Sequence, residues 1–293
     1  MRNIRKLYFQ NASGTRYGLN GENGVYASGL SGLGITLSPS FADLSHGFFV
    51  SIKDESEPQT PVAFSLFFTK NPYSSYRSLV DWLSAAGRFT IVYVPFGAQE
   101  YCRDVSISFL QKGELNEVGW LEVPCSLLCH TPWYRPTPTV LDLETNNADE
   151  IKLYDYVYDD DLRYGYDSKA PLVGSIYGTG HIPGALELSC HGALVNPKIK
   201  LVGDISGITY GTCSVAAVLA ASDTLKLSTR YEKSYVKKIA ADGTETDLLD
   251  QLDLTLTPFF HIPVDEPCTV TVESDEAFSG YAELLIYYYY RSV

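Results

Sequence analysis

Apolar and polar side chains alternate with a period of two along most of this chain, a rhythm that strands satisfy and helices do not. Phe89–Val94, Val105–Phe109, Lys198–Val202, Thr224–Ser228 and Cys268–Val272 all carry it. Glycine and proline, 23 and 15 of them, interrupt it at short intervals, as turns between strands require. Asp242-Gly243 separates Tyr235–Ile239 from Thr244–Leu249. That dipeptide predicts a hairpin with a tight type I′ turn, since both residues tolerate positive φ. The expected fold class is mainly β.

One segment breaks the rhythm. From Asn71 to Gly87 the chain offers an N-cap residue, Pro72 at the first helical position and a closing glycine, the usual start and stop signals of a helix. Tyr73, Tyr76, Val80 and Leu83 recur at helical spacing and predict one apolar stripe for packing on a sheet. A single helix over residues 72–86 is expected, roughly 22 Å long at about 1.5 Å per residue.

Pro132, Pro136 and Pro138 fall within seven residues. Proline cannot donate to a sheet ladder, so this run predicts a boundary between a domain at 1–138 and another at 139–293. Charge divides at the same place. Residues 1–139 hold 11 basic and 11 acidic side chains, whereas residues 140–293 hold 11 and 24. The whole net charge of −13 therefore belongs to the second half. A surface this acidic repels phosphate, which argues against a nucleic-acid groove.

At 293 residues and 13% aromatic content, the chain is neither disordered nor in need of a disulfide or metal to fold. Its composition also excludes collagen and coiled coil. No apolar run reaches the ~18–20 residues of a membrane-spanning helix. The start, MRNIRKLYFQNASG, lacks the apolar core of a secretory signal, so a soluble product of the cytoplasm is expected.

The search for catalytic motifs is negative. No P-loop occurs, and Gly29, Gly32 and Gly34 read G-x-x-G-x-G, the wrong order for a dinucleotide loop. Ser31 misses a nucleophile elbow because Leu33 stands where the last glycine belongs,. Cys102, Cys125, Cys129, Cys190, Cys213 and Cys268 include no C-x-x-C pair, so buried reduced thiols are expected rather than a zinc site. Of His46, His130, His181, His191 and His261, only His181 and His191 flank a common strand and could meet with an acid. The acidic stretch 141–169 holds Asp155, Asp159, Asp160, Asp161 and Asp167. Arg163 and a displaced Gly165 spoil the spacing of an EF-hand there,, and a solvated surface is the better reading. No catalytic, cofactor-binding or metal-ligating residue is assigned, and the expectation is a non-enzyme.

Tyrosine is abundant, with 22 residues. Tyr154, Tyr156, Tyr158, Tyr164 and Tyr166, like Tyr287 and Tyr289, follow period-two spacing. Such rings are sheet faces in the ordinary case and contact surfaces in the sharper one. Trp82 belongs to a core because it lies on the helix, whereas Trp120 and Trp133 could be either core or platform.

The order of these elements resembles the distal tail proteins of long-tailed, non-contractile phages. The likeness is carried by Tyr93–Val105, with Glu100-Tyr101-Cys102-Arg103 inside it, by Gly119–Tyr134, and by the Tyr-rich 154–166. Gly192–Ile199, Asp223–Leu227 and the hairpin around Gly243 add to it. The resemblance implies an N-terminal β-barrel or sandwich-like domain with one inserted helix, followed by a galectin-like, jelly-roll β-sandwich. It further implies a structural virion protein at the phage tail tip: a homohexameric ring joining the tail tube protein to a tail-associated tip protein. DNA would pass through without being bound. The outer domains would hold a receptor-binding protein or meet a host-surface glycan. The alternative reading is a monomeric carbohydrate-binding module or adhesin.

Overall fold

The computed structural model describes residues 5–35, 38–45, 48–56, 60–95, 99–143, 171–276 and 280–293. The acidic segment and its tyrosines 154–166, together with His46, lie outside the described residues. The described chain is mainly strand and forms two compact units, one of residues 1–135 with 290–293, the other of residues 136–289.

The first unit contains β1 (Lys6–Gln10), β2 (Arg16–Gly18), β3 (Val25–Ser31), β4 (Ser38–Ser45), β5 (Phe48–Ser56), β6 (Val62–Phe68), α1 (Pro72–Ala86), β7 (Phe89–Val94), β8 (Tyr101–Leu110), β9 (Leu121–Cys129) and the start of β10 (Trp133–Leu143). Antiparallel pairing runs β2–β1–β7–β8–β9–β6–β3. The last link is made by two residues beyond β2. Leu19 donates to the Leu7 carbonyl at 3.0 Å and accepts from Ala27 at 2.9 Å. The Asn20 carboxamide accepts from the Leu7 N–H at 2.7 Å and donates to the Leu7 carbonyl at 3.0 Å. Hydrogen bonding thus passes from β1 to β3, and the sheet closes on itself as a barrel, which removes its edges. β4 and β5 form a separate hairpin.

Strict alternation fills the barrel. β6 buries Val62, Phe64, Leu66 and Phe68, and β9 buries Leu121, Val123, Cys125, Leu127 and Cys129. α1 then packs on barrel-core side chains. Trp82 lies 6.4 Å from Phe9 and 6.2 Å from Phe89, and Tyr76 meets Phe68 edge-on at 5.8 Å. Leu79 is fully buried. The inward stripe is therefore half-buried Tyr76 and Trp82 with buried Leu79, and Tyr73 does not belong to it. Tyr73 turns outward to donate to Glu114 at 3.0 Å, beneath the Lys112 ammonium. Asn71 also differs from expectation: it sits at φ 43° and makes no side-chain cap. Trp82 packs inward on Phe9 and Phe89 but is only half-buried, Trp133 is buried, and Trp120 stays 42% exposed.

The second unit carries the rest of β10, then β11 (Leu172–Tyr177), β12 (Ile182–His191), β13 (Leu194–Val195), β14 (Lys198–Gly203), β15 (Thr209–Ser214), β16 (Val218–Leu219), β17 (Thr224–Arg230), β18 (Lys233–Ile239), β19 (Glu245–Asp247), β20 (Pro267–Glu273) and β21 (Tyr281–Tyr290). One antiparallel sheet runs β21–β12–β17–β18–β19 and another β10–β11–β20–β14–β15. Each buries alternate residues, Leu186, Leu188, Leu225, Leu227, Leu284 and Ile286 in the first, Leu172, Ile199, Leu201, Val270 and Val272 in the second. Two five-stranded sheets with one apolar face apiece are compatible with a galectin-like sandwich. Pro136 and Pro138 lie within β10, whose Tyr134 pairs with Cys102 of β8 and whose Asp142 and Leu143 pair with β11, and the two units divide between Arg135 and Pro136. The turn at Asp242-Gly243 joins β18 to β19, yet only Gly243 has positive φ. Ala240 and Thr244 bracket a three-residue loop, so a type I turn with glycine in the left-handed position replaces the expected type I′.

Because Asn20 supplies both bonds to Leu7, Asn20→Ala leaves a buried backbone N–H without its partner. A loss of about 1–3 kcal/mol is expected, read as a lower urea midpoint with unchanged slope.

Candidate assembly surfaces

Two features of the first unit stand out on its surface. The first is a ridge. Between β8 and β9, Asn116 builds a rigid turn: its Oδ1 accepts from the N–H groups of Val118 at 3.1 Å and Trp120 at 2.9 Å. Its own N–H donates to the Trp120 carbonyl at 2.8 Å, and Gly119 takes φ 80°. The turn projects Val118, 71% exposed, and Trp120. The outward residues of β8 and β9 continue the ridge with Phe109, which pairs with Ser126, and with Leu128 opposite Ser106. Phe109 and Leu128 are exposed. Across β6 and β3 the same outer face presents Ala63, Ser65, Ser28, Phe67 and Tyr26. Glu122 is the one charged residue among the outward positions 122, 124, 126 and 128 of β9.

The second feature is an open groove of about 240 Å³ beside α1, lined by Val80, Leu83, Ser84, Gly87, Phe89, Ile107 and Leu110. Its walls hold no charge. A bulge in β8 between Ile107 and Phe109 separates groove from ridge, turning successive side chains to different surfaces, as an extra residue in one strand does.

The second unit arranges its polar groups differently. On the outer face of β12, β17 and β21, the Arg230 guanidinium donates to Glu232, lies 3.8 Å from Glu187 and sits 4.4 Å above the Tyr287 ring. Tyr287 donates to Glu187 at 3.1 Å, and burial, with Glu187 beside it, pushes its phenol well above the ordinary tyrosine value. Asp223 is likewise engaged by Lys238 at 2.9 Å, which lowers its carboxyl. These charges satisfy one another. The two histidines that could have met do not. His181 and His191 stand at opposite ends of β12, roughly 30 Å apart at about 3.3 Å per residue. His191 instead stacks on Tyr281 at 4.6 Å, next to Glu283 at 4.0 Å. His261 stacks on Tyr231 at 3.8 Å, and burial lowers its pKa. Tyr287–Tyr290 are all buried rather than alternately exposed, Tyr287 beneath the Arg230 guanidinium on the outer face.

All six cysteines are free and buried. Burial pushes the thiols of Cys125, Cys190 and Cys213 up to about 12, which makes them inert hydrophobes rather than nucleophiles. Among the described residues, no three His, Cys, Asp or Glu side chains cluster as metal ligands, and no helix is long and apolar enough to cross a membrane.

Residues 6–130 match the family of the distal tail protein N-terminal domain. The fold extends the likeness to the whole chain. A protein of the phage P2 baseplate in its activated conformation with calcium is similar at a TM-score of 0.67 and 15% identity, covering 99% of this chain and 100% of that one. The same baseplate with strontium gives the same values. The Dit protein of phage SPP1, described as a paradigm of the hub adsorption apparatus in phages infecting Gram-positive hosts, is similar at 0.59 and 9% identity, over 97% and 98%. No curated protein sequence matches the chain.

The thiols yield a test. Unfolded cysteine starts to ionise near the ordinary value of 9.0, while Cys125, Cys190 and Cys213 hold their protons to about 12. Their contribution is complete below that ordinary value and declines as pH rises through the window, by up to ~1.4 kcal/mol per pH unit for each thiol. Urea midpoints should fall from pH 9 upward, and a colorimetric thiol reagent should detect six thiols only after unfolding.

Proposed function

We propose that this chain is the protomer of a homohexameric ring at a phage tail tip, joining the tail tube protein to a tail-associated tip protein. The observation carrying this reading is the match of residues 6–130 to the distal tail protein N-terminal domain. In this reading residues 1–138 build the ring, and residues 139–293 form the outer domain that holds a receptor-binding protein or contacts a host-surface glycan. The surfaces agree with that division. The first unit presents bare apolar and small side chains, the kind that association buries. No chemistry beyond assembly is required, and the role is structural. Light scattering of the purified chain, with negative-stain images of the same sample, is expected to give six-fold rings. A monomer of 32.4 kDa at every accessible concentration would sink the proposal.

A second reading rests on Tyr231 and Tyr281, 59% and 51% exposed and each backed by a stacked histidine. A ring so held offers its free face to a sugar. On a glycan array, binding by the full chain that disappears in Tyr281→Ala or Tyr231→Ala would support a carbohydrate-binding outer domain. Silence across the array would leave that domain as a docking scaffold.

A further inference from the structure

We infer that the α1 groove and the β8–β9 ridge are the two halves of one head-to-tail contact between copies of this chain. The inference rests on the ring reading and assigns its interface. A ring closes only through a heterologous contact, in which each protomer supplies two different and mutually complementary patches. The first unit has two such patches, opposite in shape. The groove is concave and uncharged, walled by Val80, Leu83 and Phe89. The ridge is convex and apolar, tipped by Val118 and Trp120.

Their rims are opposite in charge. Arg77 and Arg88 bracket the groove-lining stretch of α1, both exposed. Among the described residues neither guanidinium has an ion-pair partner. Asp81, also exposed, lies between them, so the rim stays net positive. The ridge carries Glu117, exposed and likewise unpaired among the described residues, beside Val118. Glu122 adds a second carboxylate on β9, while Lys112 at the ridge base is engaged with Tyr73. A cationic rim faces its own copy badly and an anionic tip well, so the fitting occupant is a second copy turned head to tail rather than face to face.

Placement on the helix allows it. The ridge base is tethered to Tyr73 in the first turn of α1, whereas the groove occupies the stretch from Val80 to Gly87. Both patches are set before association: Asn116 and Gly119 fix the tip, and the helix and β8 bulge fix the groove, so little ordering opposes binding.

Ser84→Arg blocks the groove from an exposed position, and Val118→Asp puts a charge on the tip, also exposed. Both full-length variants should keep the wild-type melting temperature. Each alone is expected to fall from the wild-type ring to the 32.4 kDa protomer. An equimolar mixture should recover one contact only, the intact tip of Ser84→Arg in the intact groove of Val118→Asp, giving a species of twice the protomer mass and nothing larger. If either single variant still forms rings, the assignment is wrong while the ring reading stands. Two monomeric variants that stay monomeric when mixed overturn the head-to-tail pairing. A monomeric wild-type protein defeats the ring reading, and this inference with it.

Discussion

Closure of the first barrel depends on a short-range accommodation between Leu7 and Asn20. A sheet of seven strands has two edges, and each edge is a row of backbone groups open to any passing strand. The Asn20 carboxamide copies a peptide group: it accepts from the Leu7 N–H and donates to the Leu7 carbonyl, while Leu19 bridges to Ala27. Once β1 is joined to β3 in this way, the barrel interior can hold Phe9, Phe64 and Phe89, with the helix side chains Trp82 and Tyr76 resting on that aromatic cluster. Closure has an outward consequence as well. A barrel without edges offers its neighbours side chains rather than ladder hydrogen bonds, so selectivity has to come from the shape and charge of ridge and groove.

The strands were legible because a half-buried strand writes its environment into every second residue, as β6 and β9 do without exception. The helix was legible from Pro72 and Gly87, but its orientation was not. Periodicity fixes which residues share a stripe, not which stripe faces inward, and Tyr73 was drawn outward by Glu114, 41 positions away. The hairpin at Gly243 was found and its turn type missed, since Asp-Gly serves both a type I′ turn and a type I turn ending in left-handed glycine. Tyr287–Tyr290 read as a two-faced strand, yet all four are buried. Asn20 escaped notice because its partner lies 13 residues back and follows no local motif. The Arg230, Glu187 and Tyr287 cluster is assembled by strand register across β17, β12 and β21, information that a single sequence does not carry.

The two halves of the chain treat charge in opposite ways, and that difference organises the functional reading. In the second unit, acids that stand on the sheet faces have cations waiting for them: Asp223 with Lys238, Glu273 with Lys200, Glu245 with Lys237, Glu232 with Arg230. The more exposed of them, Lys200–Glu273 and Lys237–Glu245, add little to stability,. Their effect is on specificity, because a face whose charges are already matched has little electrostatic reason to recruit a partner. The first unit is electrically balanced as a whole, with 11 basic and 11 acidic residues over 1–139; it pairs Arg16 with Glu100, yet among the described residues Arg77, Arg88 and Glu117 have no ion-pair partner around its apolar surfaces. Opposite charges held apart on one chain would be free to meet on another copy, and like patches would keep two copies from pairing the wrong way.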